Sequence, residues 1–372
     1  MMAVDEHLLN FLELSSEKWR PFGTGKPNLR SLQHLNHAEV FCGFRPFCPG
    51  TIYQGANKFL RILTALQSRS NYAKHVLPNA FGSSESLNLA TWLAFCHAAV
   101  GRIPVRNNTA INLQAATTAI LTIASDGTAT NELSIEAGSN LKLSSPAFAL
   151  TLTYSGTGST GNIAGTAEVT SPATGTVINT FGFTGGTTPV TTVTATGVLS
   201  AGQRTGTGAA VITGTAATLI INGTYNQKFQ VVAGTIPTAT WNTGSKVNIT
   251  GYTATVTAGP SGFNQTFYDV EWNCPSQTTN INCACSNPNI NGTFTIMSTG
   301  AGANFLSMTA TTAYTKTCAN FAQTGGILDL ATGSSDANTI AIPGTFNQSG
   351  GTFKSSGTNN WCHCQFQCIA GI

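Results

Sequence analysis

Charge is what this chain has least of. Seventeen Lys+Arg and fourteen Asp+Glu are spread over 372 residues, about 8% of positions where soluble domains carry about 25%. The scarcity is uneven. Residues 1–106 hold eleven of the cations and six of the carboxylates, which leaves six cations and eight carboxylates for residues 107–372. Carboxylates this sparse provide little for general acid–base chemistry. The net charge of +3, with no basic stripe interleaved with aromatics, gives no electrostatic footprint for nucleic acid. A long apolar run is also missing. The most apolar stretch, residues 87–100, is interrupted by Asn88, Thr91 and His97 and falls short of the roughly 20 residues that span a bilayer; it reads as a buried core helix. Asp5 and Glu6 stand where a secretory leader would place basic residues, so no signal peptide is expected. The glycine-rich residues 156–165 lack the Lys-Ser/Thr ending of a phosphate loop. Neither a cofactor nor an enzymatic activity is expected.

What the chain does have changes character near residue 106. Before it, apolar residues recur at helical spacing: Leu8, Leu9, Phe11 and Leu12 behind a capping Asp5, then Leu29, Leu32, Leu35 and Val40, then Phe59, Leu60, Leu63 and Leu66. A last helix opens at Ser83 and Ser84 and runs through Trp92, Leu93, Phe95 and Cys96 toward Gly101. After it the period is two. Leu150, Leu152 and Tyr154 alternate with Thr151 and Thr153, and Tyr268, Val270 and Trp272 alternate with Phe267, Asp269 and Glu271, the two carboxylates reading as the wet side of a strand. Leu219 and Ile221 lead into Asn222-Gly223, a hairpin signal, and Phe229 and Val231 resume the strand.

The expected fold is therefore α+β, a small N-terminal helical domain followed by mainly antiparallel β-sandwich or barrel-like modules. Residues 1–106 form the helical anchoring or docking domain, 107–208 a Thr/Gly-rich β module, and 209–372 a β module with a Cys-rich C-terminal region. Residues 155–208 offer little apolar area to offset chain entropy, which leaves open whether they order outside an assembly. Thr117 to Gly138 and Ala217 to Gly234 share a strand–turn–strand–Ala-Gly plan near 100 residues apart, a weak internal repeat.

Residues 218–234, Thr253-Ala254-Thr255-Val256, Tyr268-Asp269-Val270, Asn291-Gly292-Thr293-Phe294-Thr295-Ile296 and Ser298-Thr299-Gly300-Ala301, with an echo in residues 326–333, resemble a β-rich module of sheath-like tail structural proteins of contractile phages. The resemblance covers about residues 216–336; the helical part and the Cys-rich tail depart from it. It implies membership of a virion or tail-like assembly.

Ten cysteines fall into two odd groups, Cys42, Cys48 and Cys96 early, and Cys274, Cys283, Cys285, Cys318, Cys362, Cys364 and Cys368 late. In extended chain Cys362 and Cys364 project to one side and His363 to the other, and Cys283-Ala284-Cys285 repeats the geometry. Cys283, Cys285, Cys362 and Cys364 could thus supply four thiolates to a structural zinc, although Cys-x-Cys matches the usual Cys-x2-Cys spacing poorly. Disulfides are the preferred reading, with Cys42, Cys48, Cys274, Cys283, Cys285, Cys318, Cys362, Cys364 and Cys368 as candidates. Cys96 and His97 adjoin, but neighbouring helical residues point about 100° apart and do not make a nucleophile–base pair. His34 and His37 at i, i+3 lack a third ligand.

The expected function is structural. The chain would be a self-assembling component of a viral particle, a phage tail or virion-surface protein made in the host cytoplasm, whose partners are copies of itself and other structural subunits. Two alternatives remain at this level. One is a receptor- or glycan-binding adhesin or fibre presenting Trp241, Trp272 and Trp361, extracellular or on the cell envelope. The other is a subunit of a bacterial envelope or secretion assembly.

Overall fold

The computed structural model describes residues 98–354, apart from 101–102, 116, 125–130, 156–159, 173–174, 184–189, 203–209, 254, 284–288, 309–313 and 331–337. The chain winds through ten successive coils. It enters as β1 (Ala98–Val100) and makes coil one from β2 (Ile103–Val105), β3 (Ala110–Leu113) and β4 (Ala119–Ala124). Coil two is β5 (Leu133–Ile135), β6 (Asn140–Leu143) and β7 (Leu150–Ser155), and coil three is β8 (Thr160–Ile163), β9 (Thr166–Thr170) and β10 (Thr180–Gly182). Coil four is β11 (Val190–Val193), β12 (Val198–Gly202) and β13 (Val211–Thr213). Two strands define each of the next two coils, β14 (Leu219–Ile221) with β15 (Thr224–Lys228), then β16 (Thr240–Trp241) with β17 (Lys246–Thr250). Coil seven is β18 (Thr266–Phe267), β19 (Asp269–Asn273) and β20 (Ile281–Asn282). Then come β21 (Asn289–Ser298) with β22 (Leu306–Ser307), β23 (Tyr314–Gln323) with β24 (Ile327–Asp329), and finally β25 (Asn338–Ala341), β26 (Phe346–Gln348) and β27 (Thr352–Lys354).

Equivalent strands of successive coils pair, and every strand pairing among the described residues is parallel. The result is a parallel β-solenoid with three faces. Face one runs β2-β5-β8-β11-β14-β16, and face two runs β3-β6-β9-β12-β15-β17-β19. Face three runs β1-β4-β7-β10-β13, passes through isolated bridges at Thr235–Ser261 and Ala258–Asn282, and resumes as β20-β22-β24-β27. In β21 and β23 one long strand covers faces one and two, the register shifting between Ile290 and Thr293 at the Asn291-Gly292 corner.

This architecture corrects the expected fold. No antiparallel sandwich or barrel is formed, and no helix occurs among the described residues. Parallel neighbours need a long crossover, and the chain supplies it: register partners are 22 residues apart from Tyr225 to Val247 and 32 apart from Ala167 to Leu199. Asn222-Gly223 is a corner between β14 and β15, which pair with other coils and not with each other. Phe229 and Val231 lie beyond β15 instead of resuming it. The 100-residue repeat matched β4 on face three with β14 on face one, so its halves are not equivalent. The helices expected within residues 5–97 lie outside the described residues, but the last one cannot run to Gly101, because Ala98–Val100 is strand paired with β4. Five strands fall within the low-complexity residues 155–208, and the face-two ladder continues across 208 as β12 pairs with β15.

The core follows from the alternation. Along face two, Leu141, Ala167, Leu199, Tyr225, Val247, Val270, Phe294 and Phe321 stack inward at successive register positions, all buried. Each such side chain contributes about 1.5–3 kcal/mol on burial. Tyr154, Phe181 and Phe183 already stand among the Leu, Ile and Val of the first coils, and aromatic residues become denser from coil five on. There Tyr225–Trp241, Trp241–Phe267, Tyr252–Trp272 and Phe294–Phe321 have ring centroids 5.2–6.0 Å apart. A short apolar segment that could not fold alone is thus buried by the coil on either side of it.

Corners carry the remaining specificity. A Cβ on Gly223 would sit 2.2 Å from the carbonyl oxygen of Thr194 and 2.3 Å from that of Gly197, so only glycine lets the two corners stack. Gly138, at φ +80, turns the same corner of coil two.

Candidate functional site

The side chains that carry chemistry are used mostly to join one coil to the next. On face two, Lys142, Glu168, Ser200, Asn226, Asn248, Glu271 and Thr295 occupy one outward column in register. Glu168 receives Lys142 at 2.6 Å and Lys228 at 3.2 Å, and Glu271 receives Lys246. Burial pushes the Glu168 carboxyl up, but the hydrogen bond from Lys142 and the charge of Lys228 outweigh that and hold it below the ordinary value. Asparagines fill the gaps: Asn248 Nδ2 donates to Asn226 Oδ1 (3.0 Å), and Asn242 Nδ2 donates to Asn222 Oδ1 (2.8 Å). Asp269 and Glu271 are therefore rungs of this ladder, Asp269 accepting the Thr293 amide at 2.7 Å. They do not converge as an acid–base pair.

Amides inside the coil wire the corners. Asn179 Nδ2 donates to the carbonyls of Ser145 and Thr170, and its Oδ1 accepts the Leu150 amide. Gln277 accepts Trp272 Nε1 at 3.2 Å and donates to the carbonyls of Thr279 and Phe305. Gln323 donates to Gly326 and Thr352. These residues were not anticipated from sequence. Only Gln323 carries a sequence signal, the aromatic-x-Gln triplet Phe321-Ala322-Gln323 that Tyr225-Asn226-Gln227 repeats; Asn179 and Gln277 have none, and in the like triplet Phe346-Asn347-Gln348 the glutamine is exposed.

The expected thiol sites are placed only in part. Cys274, Cys283 and Cys318 are buried in the coil interior. Cys274 Sγ donates to the carbonyl of Ile249, and burial pushes its thiol up to about 12; burial alone does the same for Cys318. No disulfide joins two of the described cysteines, and the described residues hold no group of three or more His, Cys, Asp or Glu arranged for a metal. Cys42, Cys48, Cys285, Cys362, Cys364 and Cys368 lie outside the described residues, as do His34, His37, Cys96 and His97. The four-thiolate zinc site and the disulfide network therefore fall largely outside them too.

Of the three tryptophans expected to face a ligand, the two among the described residues are buried or partly buried. Trp272 is fully buried, its indole tied to Gln277, and Trp241 packs between Tyr225 and Phe267 with its Nε1 donating to Gln265. Trp361 lies outside the described residues. No family model, no curated protein and no solved structure matches this chain.

Proposed function

We propose that this chain is a non-enzymatic structural component of a viral particle, a stiff β-solenoid element that assembles with copies of itself and with other structural subunits. The observation that carries the reading is the use of its charges. Ion pairs that bridge coils, Lys142–Glu168, Lys228–Glu168 and Lys246–Glu271, occupy the face where a soluble enzyme or receptor would keep groups for a ligand. A stack held by neighbour contacts resists bending along its axis and can be lengthened coil by coil, which suits a spacer or stalk. The resemblance of residues 216–336 to phage tail modules points the same way. Burial of Trp272 and partial burial of Trp241 weigh against the adhesin alternative.

The test is multi-angle light scattering after size exclusion, with negative-stain microscopy of the same peak. An oligomer with extended subunits is expected. A stable monomer across the accessible concentration range counts against the reading, as does detection of the chain outside purified particles only.

A further inference from the structure

The chain contains the sequence Ile-Asn-Gly-Thr twice, as Ile221-Asn222-Gly223-Thr224 and Ile290-Asn291-Gly292-Thr293. Both copies turn the corner between faces one and two. Asn-Gly is a reactive pair, because the glycine amide nitrogen approaches the preceding side-chain carbonyl with no Cβ in the way. The two corners differ at the reacting atoms. In the second copy the nitrogen is occupied, Gly292 donating to the Tyr268 carbonyl at 2.8 Å. In the first, the flanking groups hold the corner: Asn222 N donates to Val193, Thr224 N to Gly197 and Lys246 N to the Gly223 carbonyl. The Gly223 N–H has no acceptor among the described residues. The carbonyl it faces in sequence is polarised as well. Asn242, one coil on, donates Nδ2 to Asn222 Oδ1 at 2.8 Å. That donor sits on the oxygen where negative charge gathers when Cγ is attacked, which is the part an oxyanion donor plays. Asn222 is half-buried and Asn242 exposed, so water reaches the pair.

We propose that Asn222 is a site of spontaneous deamidation in the folded chain. The Gly223 nitrogen gives its proton to water and bonds to Cγ of Asn222. The Cγ–Nδ2 bond breaks, ammonia leaves and a cyclic imide closes. Water then opens the imide, and no oxidant or reductant is consumed. Opening at Cγ restores the ordinary main chain with a carboxylate at position 222, whereas opening at the main-chain carbonyl routes the chain through the side chain and lengthens it by a methylene. The corner selects the first. A Cβ on Gly223 would already lie 2.2 Å from the Thr194 carbonyl oxygen and 2.3 Å from that of Gly197, so a longer main chain does not fit. The new carboxylate keeps Asn242 as a charge-assisted donor. It also places a negative charge on a corner that has none in residues 194–197, 222–223 and 242–245.

The experiment incubates the full chain at mildly alkaline pH, folded and in denaturant, and follows both sites by peptide mass mapping. In denaturant the identical tetrapeptides should convert at like rates. In the folded chain Asn222 should convert at least about tenfold faster than Asn291, the factor that one occupied hydrogen bond represents. Asn291 is the more exposed of the two, so exposure alone gives the opposite order. Asn242→Ala should slow Asn222 about tenfold and leave Asn291 unchanged, with circular dichroism and melting reporting the fold. The comparison of folded and denatured unmodified chain stands even if that variant folds poorly. Equal rates at the two sites in the folded chain, or an Asn222 that stays intact while the denatured chain converts, overturns the proposal. A well-folded Asn242→Ala that reacts as fast at Asn222 removes the part assigned to the Asn242 donor and overturns it as well.

Discussion

Gln277 offers the sharpest test of how the coil corners are held. Its amide is fully buried and makes three hydrogen bonds, from Trp272 Nε1 (3.2 Å) and to the carbonyls of Thr279 (2.9 Å) and Phe305 (3.1 Å). Gln277→Leu keeps the approximate volume and removes all three. The Phe305 carbonyl still accepts the Ile281 amide at 3.0 Å, so two groups are orphaned, the indole N–H and the Thr279 carbonyl. Each buried orphan costs about 1–3 kcal/mol. Leucine recovers some apolar transfer energy, so the net loss should be about 3 kcal/mol. In a domain of this size that corresponds to roughly 6–12 °C in Tm. Equilibrium denaturation followed by tryptophan fluorescence is the assay, since Trp272 reports on the site itself. Gln348→Ala is the control: that side chain is exposed and donates only to Gly351, and the cost should stay within about 0.5 kcal/mol. If Gln277→Leu is as stable as the control, the corner amides do not hold the coil and the reasoning is wrong.

Three further outcomes are expected. Gly223→Ala should cost more than about 2 kcal/mol, because its Cβ meets two backbone oxygens that no rotamer change can move; an unchanged unfolding midpoint would show that the corners are not tightly stacked. Cys274 and Cys318, with thiols pushed up to about 12, should resist iodoacetamide at pH 8 in the native protein and react on unfolding, as peptide mass mapping would report. Fast native labelling of either would contradict its burial. Glu168, held below the ordinary carboxylate value, contributes stability that is complete above the unfolded-state pKa and is lost as pH falls through the lower native one. Glu168→Gln should therefore be less stable at pH 7 and lose less between pH 5 and acid than the unmodified chain; parallel stability–pH curves for the two would refute the assignment.

The inside-out pattern of the strands was legible in the sequence, but their pairing was not. Leu150, Leu152, Tyr154, Val270 and Trp272 point inward as their alternation implies. At the start of that last run, however, Phe267 is the buried residue and Tyr268 is not, because the face-one strand Thr266–Phe267 ends there and the chain turns before Asp269. Period two says which side of a strand is buried and is silent about which strand lies next to it. Asn-Gly serves a hairpin and a solenoid corner equally, and at Asn222-Gly223 the hairpin rule was applied to a corner. The information that separates the two is a spacing. Gly138, Gly165, Gly197, Gly223 and Gly244 recur every 21 to 32 residues, the interval of a coil and not of a hairpin. Varying coil length hides this repeat from a search for a fixed period. The corner amides were missed because a glutamine or asparagine in a Thr- and Asn-rich chain reads as surface, and a place two residues beyond a strand aromatic is shared by buried Gln227 and Gln323 and by exposed Gln348.

The scarcity of charge acquires a cause within the fold. In a parallel stack every outward residue has an identical position above and below it at about 4.8 Å. Two like charges at that distance repel by roughly 1–3.5 kcal/mol for effective dielectrics between water and a protein surface. A charge is thus tolerated where a nearby coil offers its opposite, as Lys142 one coil before and Lys228 two coils after do for Glu168 and Lys246 one coil before does for Glu271. Between these places the column is filled by Ser200, Asn226 and Asn248, linked by Asn226 Nδ2 donating to Ser200 Oγ and Asn248 Nδ2 donating to Asn226 Oδ1, with no like charges to repel. Low charge on face two is accordingly no sign of a buried interface, since the coil-to-coil ladder already accounts for it. Face three has no such ladder: its columns are Thr, Ile and Val, and its border leaves Ile120, Phe148 and Ile178 in water. Exposed apolar groups there are not required by the stacking of coils.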